Sequence, residues 1–71
     1  MPVYNPEFEA MRVQMQAWFD REKGGLSAEE SKYAQLVLLA LTACAQNKQP
    51  GALLKGLGEY TEALSKARAD K

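Results

Sequence analysis

The chain has 71 residues, nine basic and nine acidic, with one cysteine and no histidine. That length holds one domain, and the composition removes an intrachain disulfide, a tetrahedral zinc site and the side chain most used for proton transfer near neutral pH. Balanced charge also argues against nucleic acid as a partner, since neutralising phosphates supplies most of that affinity.

A core this small is stabilised by disulfides, a metal, regular helix packing or a partner subunit, and only the last two remain open here. The stretch Met1 to Pro6 lacks a basic segment followed by an apolar run, so no signal peptide is expected. The most apolar segment, Tyr33 to Ala45, is thirteen residues long. A membrane span needs about twenty, so this segment reads as a buried core helix. A cytoplasmic chain with no membrane association is the expectation, and a free thiol is compatible with it.

The first predicted helix covers about 6–23. Asn5 suits the N-cap, Pro6 the first helical position, and Glu7 the positive end of the helix dipole. Phe8, Met11, Met15 and Trp18 follow at spacings of three, four and three, a heptad seam flanked by Phe19. Ala10, Val13 and Ala17 form a weaker strip on the opposite side. Gly24 is expected to take the left-handed C′ position, with Leu26 packing back on the helix.

The second predicted helix covers about 28–47. Ser27 and Glu30 have the separation of a capping box. Between Tyr33 and Ala45 only Gln35 and Thr42 interrupt the apolar character. One face carries Tyr33, Leu36, Val37, Ala40 and Cys44, the other Ala34, Leu38, Leu41 and Ala45. A helix apolar nearly all round must be covered on several sides.

The third predicted helix covers about 51–69, after the breaker Pro50-Gly51. Leu53, Leu57, Tyr60, Leu64 and Ala67 fall at spacings of four, three, four and three, a second heptad seam. Gly56 and Gly58 each cost about 1 kcal/mol against alanine, so the segment is either one helix with a soft point or a short turn followed by a helix from Glu59. Glu59 and Glu62 would suit the first turn of that second form. The seam runs through the glycines in phase, which favours one continuous helix. Lys66, Arg68 and Lys71 suit its negative end.

The expected fold is all-α: a helical hairpin plus a third helix in one small bundle, packed as a homodimer that buries the second helix against its mate. No catalytic residue, cofactor or metal ligand is expected. The carboxylates Glu7, Glu9, Glu29, Glu30, Glu59 and Glu62 read as helix-start acids. The run Asp20-Arg21-Glu22-Lys23 reads as a solvated helix end, and Cys44 as a core thiol with no base beside it. Ser31 and Ser65 lack an activating partner, and Gly56-x-Gly58 follows no strand and makes no phosphate cradle.

Surplus apolar surface therefore carries the functional expectation. Phe8, Met11, Met15, Trp18 and Phe19 from the first helix are candidates for a partner or oligomer interface, with Trp18 the anchor. Leu38, Leu41, Leu53, Leu57 and Tyr60 complete the set. The stretch Ala40 to Lys66, with its Pro-containing turn, Leu53-Leu54 and Glu59-Tyr60, resembles the helical hairpin of type III secretion needle subunits and their small co-chaperones. That resemblance covers less than half of the chain and carries over no site residue. Small phage-encoded or bacterial regulators have similarly plain helical sequences. The sequence reads as a non-enzymatic module that binds and regulates or inhibits another protein. A secretion-type chaperone or assembly subunit is the alternative, and a helix-turn-helix DNA binder is a more distant one, its basic residues clustering at Lys55, Lys66, Arg68 and Lys71.

Overall fold

A computed structural model describes residues 4–70, and these form three α-helices joined by short connections. Helix α1 spans Pro6–Glu22, α2 Ala28–Ala45 and α3 Gly51–Ala69, with one turn of 3-10 helix at Lys23–Gly25. No strand occurs among the described residues. Lys71 and the first three residues lie outside them.

Each boundary has a local cause. Pro6 opens α1 where its missing N–H is no loss. At the start of α2 the Ser27 hydroxyl accepts the Glu30 N–H at 3.1 Å, and Glu30 Oε1 accepts the Ser27 N–H at 3.1 Å, completing the capping box. Pro50 precedes α3, and its carbonyl accepts from the N–H groups of Leu53 and Leu54. Helix α3 runs unbroken through Gly56 and Gly58.

Four expectations are corrected. Gly24 does not adopt a left-handed conformation, since no described glycine has positive φ. Instead α1 tightens into the 3-10 turn, and the Leu26 N–H reaches the Lys23 carbonyl at 3.4 Å. Asn5 stands at the N-cap position but its side chain does not cap α1. It reaches across to the end of α2, where Nδ2 donates to the carbonyls of Cys44, at 3.1 Å, and Asn47. Because α3 starts at Gly51, Glu59 and Glu62 lie in mid-helix rather than in a first turn. And α2 ends at Ala45, two residues short of the predicted limit.

The core is small. Ala34, Val37, Leu41, Cys44 and Ala45 form one buried stripe along α2, drawn from both of the faces read in the sequence. Leu57 and Leu64 cover it from α3. From α1 only the partly buried Phe8 and Met15 reach it. Both outer helices pack on α2 and scarcely touch each other. Three helices closed into a triangle at 8–10 Å spacing would measure roughly 15 Å across in both directions. Here the cross-section is 23 by 14 Å, so the helices form an open layer.

Candidate interaction groove

Openness between α1 and α3 leaves a groove whose floor is α2. Val37 and Leu41 form the floor, Met11, Gln14, Met15 and Trp18 one wall, and Leu57, Gly58, Thr61 and Glu62 the other. It encloses about 680 Å³. Its lining is mostly apolar, with Glu62 the one charged side chain. The second wall is low where Gly58 stands, because a Cβ there would meet nothing within 4 Å.

The first wall belongs to a helix with an unusual status. Five large apolar side chains lie on α1, yet none of its residues is buried. Met11, at the groove's rim, is 48% exposed, and Val13 on the outer strip 51%. An apolar stripe this wide normally faces a core on most of its width.

One end of the groove is tied. Arg68 of α3 lays its guanidinium over the Trp18 ring of α1, 5.0 Å from the centroid. The same guanidinium stands 3.6 Å from Oε2 of Glu30 at the start of α2. Glu30 is fully buried, so it does more than cap its helix: it anchors the cation that joins all three helices. Sequence spacing gave Glu30 its capping role but could not reveal this second one, which depends on a residue 38 positions later.

The expected interface residues divide by depth. Leu41 and Leu57 are core residues that also line the groove. Phe8, Met15 and Tyr60 pack partly buried against that core. Met11 and Trp18 form the groove wall, whereas Phe19 and Leu38 lie together on the far shoulder of α1 and α2 beside Gln16, Leu39 and Thr42. Leu53 stands at the exposed start of α3. The notable omission from the expected set is Leu39, 67% exposed on the outer face of α2. Gln14, Gly58 and Glu62 were also missed, because a search for large apolar residues passes over polar and small ones.

Burial pushes the Cys44 thiol above its ordinary pKa, which disfavours the reactive thiolate. The hydrogen bond from Arg12, at 3.0 and 2.5 Å, holds the Glu9 carboxylate below its ordinary pKa on an open surface. Among the described residues no cluster of three or more His, Cys, Asp or Glu could hold a metal ion. No helix there is long and apolar enough to cross a membrane.

No family model, curated protein or solved structure matches the chain.

Proposed function

We propose that this chain is a non-enzymatic protein–protein interaction module that works as a homo-oligomer and regulates a partner protein by occlusion. The groove face is its contact surface. One observation carries the reading: no large apolar side chain of α1 is fully buried within the chain, and Met11 and Val13 stay about half exposed. Such a face loses free energy to water until another polypeptide covers it, at about 25 cal/mol for each Å². Occlusion follows from shape, since a helix laid between α1 and α3 has its own apolar side hidden from other partners.

Nothing in the groove suggests turnover of a substrate. Its single ionisable lining residue, Glu62, has no neighbouring acid or base in the lining with which to share a proton. Arg68, one of the basic residues a nucleic-acid reading would need, is directed at Trp18 and Glu30. The free buried thiol supports a cytoplasmic site of action.

A photo-crosslinking residue in place of Met11 tests the proposal. An adduct with a polypeptide is expected, and it should disappear when Gly58→Trp fills the groove. The same crosslinker in place of Lys32, on the outer face of α2, should give none. Absence of any polypeptide adduct at Met11, in a folded chain, would remove the groove from the function.

A further inference from the structure

We infer that the groove face is covered first by a second copy of this chain, in an antiparallel two-fold dimer whose axis passes level with Gln14. This deepens the preceding proposal and rests on its assignment of the groove as the contact surface.

Charge is the first argument. Glu7, Gln14 and Arg21 are each seven residues apart, so they share one edge of α1, the edge on which Gln14 lines the groove. Neither Glu7 nor Arg21 has an ion pair among the described residues. A two-fold at Gln14 sets residue i against residue 28 − i of the mate, as the sequence numbering dictates. Glu7 then faces Arg21 of the second copy, and Arg21 faces its Glu7.

The opposite rim obeys the same axis. Gln14 and Gly58 line the same groove, and the proposed axis crosses α3 beside Gly58. Lys55 and Glu62 are also seven apart on one edge of α3, and neither is ion-paired among the described residues. A two-fold between Gly58 and Glu59 sets Lys55 against Glu62 of the second copy. With no Cβ, Gly58 lets the two α3 backbones approach where they cross.

Area is the second argument. The broad face of a body 37 by 23 by 14 Å offers on the order of 800 Å², about what each partner buries in a stable complex. The groove face is therefore large enough to hold the mate.

The test is sedimentation of the full chain with oxidative crosslinking. A particle of twice 7.9 kDa is expected. R21E should raise the dimer dissociation constant about tenfold, since it turns two attractive pairs repulsive. Adding E7R to R21E should restore association. In a C44A background, Q14C should oxidise to a disulfide-linked dimer, whereas L39C should not. A monomer at all concentrations overturns the dimer, as does crosslinking through L39C in place of Q14C. The Met11 crosslinker then separates the two readings: an adduct with a different protein leaves the groove as a contact surface without the dimer, and no adduct removes both.

Discussion

At position 58 a glycine stands in mid-helix, where it costs roughly 1 kcal/mol against alanine. Nothing inside the subunit requires it, because a Cβ there would find open space. Gly58→Ala should therefore stabilise the isolated subunit by about 1 kcal/mol in urea titrations at low concentration, while weakening association. Gly56→Ala makes the control. Its Cβ would rest 3.8 Å from the Tyr60 ring, an ordinary contact, so it should stabilise without affecting association. Equal effects of both variants on association would leave Gly58 without a role in contact.

Cys44 gives a second residue-scale prediction. Its thiol pKa is raised in the folded chain by burial, so the native state holds its proton more tightly than the unfolded state does. The stability this contributes is present below the unfolded thiol pKa of about 8.5 and is lost as pH rises through the higher folded value. Melting temperature should fall through this alkaline range, and Cys44→Ala should remove part of that fall. In the native state the thiol should resist a disulfide reagent at neutral pH and react once urea unfolds the chain.

At the scale of elements, the join between the start of α1 and the end of α2 matters most. The last carbonyls of a helix have no partner within it. Here the N–H groups of Tyr4 and Asn5 both reach the Ala45 carbonyl at 3.1 Å, and the Asn5 amide reaches those of Cys44 and Asn47. Asn5→Ala should cost about 1 kcal/mol in denaturant unfolding, because it removes a partly buried hydrogen bond and leaves the Cys44 carbonyl with backbone donors such as the Asn47 N–H at 3.4 Å. Ser27→Ala should cost about 1 kcal/mol through the lost capping box. If Asn5→Ala costs no more than an exposed substitution, α1 is held by its side chains alone.

These two sites also show what the sequence could reveal. Ser27 and Glu30 are three apart and their bond is local, so the pattern determines it. Pro6 and the Pro50-Gly51 pair bound their helices for equally local reasons. Asn5 carries the same local signal, but competition from carbonyls 39 and 42 positions away decides its bond. Heptad spacing likewise identified the apolar edges of α1 and α3, and Phe8, Met15, Leu57 and Tyr60 on those edges do pack toward α2, while Met11 and Leu53 stay exposed. Spacing does not set the angle between the outer helices, so the groove, its low wall at Gly58 and the Arg68 tie became visible only in three dimensions.

For the whole molecule, the open layer has a thermodynamic consequence. Its radius of gyration is 12.3 Å, against about 11 Å for a compact domain of this length. Domains this small rarely hold more than about 3–5 kcal/mol from a single core. Truncating Leu41, which is 3% exposed on the groove floor, should cost about 2–5 kcal/mol and leave little folded monomer. If a second copy covers the groove, folding and association are linked, and stability depends on protein concentration. Melting temperature should then rise steadily over a hundredfold increase in concentration, and circular dichroism at each concentration measures it. The R21E variant should melt lower at high concentration and show a weaker rise, because it alters the contact and leaves the core stripe of α2 untouched. A wild-type melting temperature that ignores concentration would mean that the subunit holds itself together, and that its half-covered α1 is stable in water without a mate.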